Sequence, residues 1–374
     1  MTSIYLDHNA TTPLAESVKQ AMLEAMTLTG NPSSVHKAGR EAKRTVEEAR
    51  TRVAALVGAR ARDVVFTSGG TEANNLALKG APAASYLISP IEHEATMAVA
   101  KELAGQGKEV SYLKLQDNGQ IDLEDLKNQL SHLPKPTLIS VMLVNNEIGL
   151  IQDLNPIIHI AREFEAFVHS DCVQAAGKIP VNIAELDLDY ASFSAHKING
   201  PKGIGALVIK PTSPMAAQIK GGGQELGRRS GTENLIGIAG FGAAALTAME
   251  QLFETDRIKA LRDHLEAGLR QHTNDILIIA DKLHRTANVS CIAMEGTNGE
   301  TQVMHMDLMG IAISSGSACS SGKVKTSHVL SALGYNEAIS NSSIRVSLGG
   351  HTTKEEVDAF IKAWCTLYDR KKGN

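Results

Sequence analysis

Between about residues 60 and 210, short apolar and β-branched runs alternate with stretches whose apolar positions recur at helical spacing. The short runs lie at 64–67, 85–89, 138–144, 167–170 and 205–209, and a clear helical stretch covers 155–165. Strands that alternate with helices in this way form a mainly parallel sheet that is covered by helices. The pattern therefore predicts a large α/β domain with ligands at the carboxyl ends of its strands.

After about residue 255 the pattern changes to that of a smaller α+β domain. A helix is expected over 257–272, followed by short strands, and a final helix over 354–368. The N-terminal segment is expected to pack at the junction. The predicted domains are a large one, 15–255, and a small one, 1–14 and 256–374, with a Gly/Ser-rich loop at 314–325.

Composition narrows the classes of function. Among 374 residues the net charge is −4 and aromatic residues make up 4%, which gives no pull towards nucleic acid or anionic membranes. The sequence has no apolar run near the ~20 residues of a membrane span and no signal-peptide pattern at its start. The cysteines are widely spaced, which argues against disulfides or a bound metal and favours a cytoplasmic protein: Cys172, Cys291, Cys319 and Cys365.

The first chemical motif is a turn at 66–75, where a predicted strand passes through Ser68-Gly69-Gly70-Thr71 into a helix. Helix N-termini present unpaired N–H groups, and glycine lets the backbone approach an anion closely. Gly70 and Thr71 are therefore candidates for holding a phosphate. The alternative is an ordinary helix start with Thr71 as its N-cap.

The second motif pairs a lysine with an acid. Lys197 follows the run ending at Ser194, and Asp171 ends the run before it, so both are expected at one edge of the sheet. A buried lysine has a lowered pKa and can form a Schiff base. Pyridoxal 5′-phosphate (PLP) needs such a lysine and an acid near its pyridine nitrogen. The alternatives are a surface lysine and a helix-capping aspartate.

Two further polar residues follow predicted strands. His93 could stack on the cofactor ring or move protons, and Asn146 could bond the ring hydroxyl. Each is weak by itself. Their weight comes from the expectation that phosphate turn, histidine, asparagine, aspartate and lysine all follow strands of one sheet.

Across nearly its whole length the chain resembles the NifS/IscS-type cysteine desulfurases. These belong to the class V aminotransferase group and have PLP fold type I, the aspartate aminotransferase-like α/β fold with a mainly parallel seven-stranded sheet. Besides the motifs above, the resemblance rests on 5–13, 30–34, 229–232, 314–319 and 342–349. It implies an enzyme that removes sulfur from L-cysteine, leaves L-alanine and uses PLP.

The resemblance assigns roles to individual residues. Lys197 would form the Schiff base, with Asp171 on the pyridine nitrogen, Gln174 on the ring oxygen and His93 stacked on the ring. The phosphate would be held by Gly70, Thr71, Ser194 and His196. Thr232 would reach the phosphate of a neighbouring subunit, which implies a homodimer. Arg345 would bind the substrate carboxylate, and Asn31 would lie near the substrate.

Cys319 separates a desulfurase from a transaminase. It lies among Gly and Ser residues, a composition typical of a mobile loop. The resemblance implies that its thiolate attacks the substrate sulfur and keeps it as a persulfide for an iron-sulfur scaffold or another sulfur carrier. Two other readings stay open: a different fold-type I enzyme, such as a transaminase or selenocysteine lyase, and a catalytically silent sulfur-binding protein.

Overall fold

The computed structural model describes residues 4–315 and 326–372. Its strands are β1 Ile4–Tyr5, β2 Val64–Thr67, β3 Ser85–Ile88, β4 Glu109–Tyr112, β5 Thr137–Ser140, β6 Phe167–Asp171, β7 Tyr190–Ser194, β8 Gly205–Ile209, β9 Leu277–Ile279, β10 Val289–Ala293, β11 Ile311–Ala312, β12 Ser314–Ser315 and β13 Ser343–Ser347. Its helices are α1 Glu16–Met26, α2 Lys37–Leu56, α3 Gly70–Gly80, α4 Glu94–Gly105, α5 Leu123–His132, α6 Leu154–Glu163, α7 Ile183–Leu186, α8 Leu235–Gln251, α9 Thr255–His272, α10 Gly299–Leu308, α11 His328–Ala332, α12 Glu337–Asn341 and α13 Lys354–Lys372.

The main sheet has seven strands in the order β2-β8-β7-β6-β5-β3-β4. From β7 to β4 the neighbouring strands pair in parallel, whereas β8 is antiparallel to both β7 and β2. Every residue of β3, β5, β7 and β8 is buried, as expected for strands covered on both faces. The predicted α/β fold with a mainly parallel seven-stranded sheet is confirmed.

The structure corrects the prediction for the run at 138–144. Strand β5 ends at Ser140, where its pairing with β3 stops: the N–H of Met142 donates to the carboxylate of Glu92, although those of Val141 and Leu143 still donate to β6. The pattern also failed to predict β4, whose four residues are exposed or half-buried and so lack a continuous apolar run. The turn before α3 is corrected too: the helix begins at Gly70 with Gly69 as N-cap, so Thr71 is not the cap.

A second group of elements follows residue 255. Four strands form a second, antiparallel sheet in the order β12-β13-β10-β9. Strands β1 and β11 pair in parallel as a third, two-stranded sheet. The predicted loop at 314–325 is therefore wrong at its start, because Ser314 and Ser315 pair with β13; the remainder, 316–325, lies outside the described residues. The division into domains at 15–255 and at 1–14 with 256–374 remains a prediction.

The N-terminal segment joins the two groups of elements. Leu6 belongs to an apolar cluster with Ile344, Phe360 and Trp364, while residues just after it reach the main sheet. The N–H of Ser347 donates to the carbonyl of Leu6 over 2.8 Å, which continues β13 along this segment. The segment is thereby held against β13 where it passes the carboxyl ends of the main strands.

One helical stretch, Leu235–His272, is long and apolar enough by composition to be compared with a membrane span. More than half of its most apolar window is buried within the protein. Gly242 of α8 lies so close to α2 that an added Cβ would be 2.6 Å from Cα of Ala49. This is the environment of a core helix in a globular protein.

Candidate active site

A cavity of about 290 Å³ lies at the carboxyl ends of β6 and β7, beside the N-termini of α3 and α4. Its walls include residues from the large sheet, the N-terminal segment and β13. Most of the residues predicted from the sequence line it: Gly70, Thr71, His93, Asn146, Asp171, Gln174, Ser194, His196, Lys197 and Arg345. Residues far apart in the chain thus meet at the edge of the sheet where parallel folds bind ligands.

Lys197 lies on the short turn Ala195–Lys197 that follows β7. Its Nζ donates to the carbonyl oxygens of Asn9, at 2.7 Å, and Ala10, at 2.6 Å. Burial, together with the positive charge of Arg345, lowers the pKa of Lys197 from 10.5 to about 8. About a tenth of this amine is therefore neutral at pH 7 and about half at pH 8, and the neutral amine is the form that attacks a carbonyl carbon.

This pKa predicts how PLP attaches to the cofactor-free protein. The rate should rise with pH and level off above about 8, because the nucleophilic amine forms as Lys197 loses its proton. The growth of the visible absorption band after mixing with PLP measures this rate. In Asp7→Asn the midpoint should move to lower pH, since the charge of Asp7 raises this pKa. A rate that is flat between pH 6 and pH 10 would contradict the prediction.

Asp171 is the last residue of β6, which lies in parallel beside β7. One carboxylate oxygen accepts from Nδ2 of Asn74 at 2.7 Å, and the other accepts from the N–H of Val173 at 3.0 Å. The carboxylate is thus fixed at the cavity wall. Its bond to the N–H of Val173 caps a turn, whereas the alternative considered from the sequence was the cap of a helix. A carboxyl group held in one orientation is what a pyridinium N–H requires.

His93 is the N-cap of α4, and its Nδ1 accepts from the N–H of Ala95 at 3.1 Å. Burial lowers its pKa, which favours the neutral ring with the proton on Nε2. Asn146 lies in the turn after β5, and its carbonyl oxygen accepts from Nδ2 of Asn9 at 3.0 Å. A neutral imidazole is therefore available beside Lys197, and the backbone of Asn146 is held at the cavity wall.

The other end of the cavity is built for an anion. Gly70 opens α3 so close to the turn after β6 that an added Cβ would lie 2.8 Å from Cγ2 of Val173. The first N–H groups of a helix lack partners within it and carry positive potential. An adjoining, more open cavity shares these groups and adds a cation: its lining includes Gly70, Thr71, Ser194, His196 and Lys202.

Arg345 lies on β13 and is only 5% exposed in its side chain. Its Nη2 donates to Oδ1 of Asp7 at 2.9 Å, and its Nη1 makes a longer bond of 3.3 Å to the carbonyl of Asn146. Among the described residues, nothing accepts from its buried Nε. The guanidinium is held in place and keeps donors that a carboxylate can use.

Three predicted site residues do not line this cavity. Asn31 is exposed between α1 and α2, and its Oδ1 accepts from the N–H of Ser33 at 2.9 Å. Thr232 is exposed and lines a different cavity, beside Ser68 and Arg229. Cys319 lies outside the described residues. Their roles remain predictions.

Sequence patterns missed several residues that organise the site. Asn74 orients Asp171, Asp7 pairs with Arg345, and Asn9 contacts both Gln174 and Asn146. Two weak signals in the sequence could have pointed to these residues. Asp7 and Asn9 closely follow the apolar N-terminal run, and Asn74 is a polar residue that is buried on α3. Lys178 gave no signal, since most lysines are on the surface.

The residues present fit PLP. The cavity offers a partly neutral lysine, a fixed carboxylate, an anion site at a helix N-terminus and a buried arginine whose Nε has no acceptor within the described part of the chain. These groups match the aldehyde, pyridine nitrogen and phosphate of PLP and the carboxylate of an amino acid substrate. Lys197, Asp171 and the first turn of α3 would hold the cofactor.

Known proteins agree with this interpretation. The aminotransferase class-V family model matches residues 4–360. Cysteine desulfurase IscS of Dictyoglomus turgidum is 41% identical over 95% of this chain and 92% of its own length. The corresponding values for IscS of Pasteurella multocida are 42%, 96% and 91%.

A solved structure agrees as well. The NifS-like protein from Rickettsia africae superposes with a TM-score of 0.90 at 37% identity, covering 98% of this chain and 99% of that one. The chain therefore belongs to the class V aminotransferase family and, within it, to the PLP-dependent cysteine desulfurases of the IscS and NifS type.

Proposed function

We propose that the protein is a PLP-dependent cysteine desulfurase in which Lys197 holds the cofactor and moves the substrate proton, Arg345 binds the carboxylate of L-cysteine and Cys319 receives the sulfur. The observation that carries these roles is the single cavity into which Lys197, Asp171, His93 and Arg345 all project. A conserved family fold alone would not require these side chains to converge.

Substrate binding follows from the charges in the cavity. The guanidinium of Arg345, already held by Asp7, takes the carboxylate of L-cysteine through its remaining N–H donors. That contact fixes the Cα of the substrate near Lys197. Arg345 and Lys197 are both largely buried, so little water competes with the substrate carboxylate for the guanidinium, and the ion pair is stronger.

When bound, PLP supplies a ring that accepts electrons from the substrate Cα. Asp171 keeps the ring nitrogen protonated, and the amine of Lys197 takes the Cα proton as general base. The thiolate of Cys319 forms an S–S bond to the substrate sulfur as the C–S bond breaks. The carbon product gains a proton and leaves as L-alanine, so cysteine and one enzyme thiol become alanine and one persulfide without an external oxidant.

The described cysteines do not suit the role of nucleophile. Cys172 and Cys291 are fully buried, and burial raises the pKa of each thiol to about 12. Cys365 lies on α13, and burial and the charge of Asp369 raise its thiol pKa as well. Because the thiolate is the reactive form, the chemistry of these three thiols supports the assignment to Cys319.

The test is an assay of the purified, PLP-loaded protein with L-cysteine and a reductant. We expect alanine and sulfide in equal amounts. Cofactor-loaded protein that is inert to L-cysteine would point to another fold-type I substrate. Protein that binds no PLP would overturn the assignment of Lys197.

The role of Arg345 leads to a second prediction. In Arg345→Gln the KM for L-cysteine should rise on the order of 10- to 100-fold, because a charged hydrogen-bonded pair is lost. The visible band of bound PLP should persist. Steady-state kinetics measure the change, with cysteamine, which lacks the carboxylate, as the matched substrate control. An unchanged KM for L-cysteine would contradict the role.

Association and sulfur delivery are proposed on the family resemblance. We propose a homodimer in which Thr232, exposed beside Arg229, contacts the phosphate site of a second copy, and a cytoplasmic sulfur acceptor that is an iron-sulfur scaffold or a sulfur carrier. Sedimentation tests the dimer. In Thr232→Ala, weaker retention of PLP at unchanged mass would support the shared site, and unchanged retention would oppose it.

A further inference from the structure

Lys178 lies between the candidate active site and a smaller cavity of about 60 Å³ that it lines together with His8 and Asn288. Its Nζ contacts Oε1 of Gln174 closely and donates to Oδ1 of Asn9 over 2.7 Å. Within residues 4–315 and 326–372, no carboxylate is at ion-pair distance from this amine. A partly buried amine that is held by neutral amides costs free energy, so its presence calls for a role.

The contacts of Lys178 determine the orientation of the side-chain amides of Gln174 and Asn9. A lysine ammonium donates hydrogen bonds and cannot accept them, so the atoms that face it must be amide oxygens. Asn288 reinforces this at Asn9, because its Nδ2 also donates to Oδ1 of Asn9, at 3.0 Å. Both amides therefore point their oxygens at Lys178 and their NH₂ groups away from it.

The NH₂ groups of these amides lead to the cofactor site. Nε2 of Gln174 donates one hydrogen to the carbonyl of Asn9 at 2.9 Å, and no acceptor in residues 4–315 and 326–372 takes its second hydrogen. Nδ2 of Asn9 donates to the carbonyl of Asn146 at 3.0 Å and so fixes that turn. Gln174 and Asn146 both line the main cavity.

Building on the proposed PLP site, we propose that Lys178 is a positioning residue: it holds the amides of Gln174 and Asn9 so that Gln174 presents an N–H, and never its oxygen, to the ring oxygen of the cofactor. An N–H donor stabilises an anionic ring oxygen, whereas a flipped amide would repel it. Lys178 thereby acts on the cofactor through Gln174 without touching it.

Several charged or titratable groups surround Lys178. They are His8 on the N-terminal segment, Lys197 after β7, Arg345 on β13 and Glu254 across the smaller cavity. Burial lowers the pKa of Lys178 well below 10.5, and Lys197 and Arg345 add to this effect. A neutral amine can also accept a hydrogen bond, but the amides keep their orientation in that state, because Nε2 of Gln174 donates to the carbonyl of Asn9 and Nδ2 of Asn288 donates to Oδ1 of Asn9.

The test is a pH titration of the visible band of the PLP-loaded protein. In Lys178→Met the midpoint should rise by about half a pH unit or more, since losing the oriented donor makes the ring oxygen more basic and keeps the proton at the Lys197 linkage. Lys178→Arg, which restores charge and donors, should return the midpoint towards that of the unmodified protein. An unchanged midpoint in Lys178→Met would overturn the proposal.

A second background separates positioning from charge. If Lys178 acts through Gln174, the shift caused by Lys178→Met should be clearly smaller in a Gln174→Leu protein. Equal shifts in both backgrounds would mean that Lys178 acts by its charge alone, which overturns the proposal. If Lys178→Met does not fold, Lys178→Gln, whose NH₂ group keeps two N–H donors without the charge, should leave the midpoint near that of the unmodified protein. A shift of about half a pH unit or more in Lys178→Gln would follow the loss of charge and would overturn positioning.

These outcomes are independent of the overall reaction. A protein that binds PLP but is inert to L-cysteine would refute the proposed function and leave the titration of Lys178→Met interpretable. Conversely, normal alanine production with no shift in the titration would refute only the role of Lys178.

Discussion

Replacing Lys197 by alanine should reduce alanine formation from L-cysteine on the order of 10⁴-fold. The variant lacks the amine that attaches PLP and also the base that takes the Cα proton. The pKa of Lys197, about 8, and its position in the cavity suit the amine to attaching the cofactor and to taking the proton. Alanine formation and the visible absorption band should therefore be lost together.

Lys210 provides a matched control for this prediction. It directly follows β8, an antiparallel strand, so it lies at the opposite edge of the same sheet, paired with Asp187 at 2.6 Å. Lys210→Ala should keep the visible band and the rate. Added small amines should restore part of the activity of Lys197→Ala, since they can take the proton. A Lys197→Ala protein that keeps the visible band and its activity would refute the assignment.

Replacing Cys319 by alanine should leave PLP binding intact and remove persulfide formation. Sulfide release should fall to background, because the remaining described thiols are buried or have raised pKa values and cannot replace a reactive thiolate. The visible band and the unfolding temperature should be unchanged. Mass spectrometry after a single turnover without reductant should find the extra sulfur on the peptide that contains Cys319.

Cys365→Ala is the control, since Cys365 is a partly exposed thiol on α13 at a distance from the cavity lining. It should release sulfide as the unmodified protein does. Sulfide release from Cys319→Ala at the original rate would show that another group receives the sulfur, and the desulfurase assignment would then rest on a different nucleophile.

The main sheet could be predicted because its strands carry their own signal. Strands that are covered on both faces need apolar side chains on both, and runs such as 85–89 and 205–209 show this directly. The signal failed at β4, whose residues are exposed or half-buried, and at the end of β5, where a tertiary contact was the cause. The run at 138–144 stays apolar past Ser140, but the N–H of Met142 donates to the carboxylate of Glu92 and not to β3, so only the bonds to β6 continue.

Much of the candidate site could be predicted for a related reason. His93, Asn146, Asp171 and Lys197 each follow a strand or its turn in the sequence, and parallel strands bring their carboxyl ends to one edge. The residue types then indicated a cofactor with an aldehyde and a basic ring nitrogen. Gly70 was identifiable from the turn in which it lies.

The sequence by itself determined the order of elements, the edge of the sheet that binds ligands and the chemical types gathered there. Only the tertiary structure decided how those groups are held. Asp7 meets Arg345 and Lys178 meets Asn9 although 338 and 169 residues separate them. Such pairs have no local pattern, because their geometry arises only when the N-terminal segment packs between the main sheet and β13.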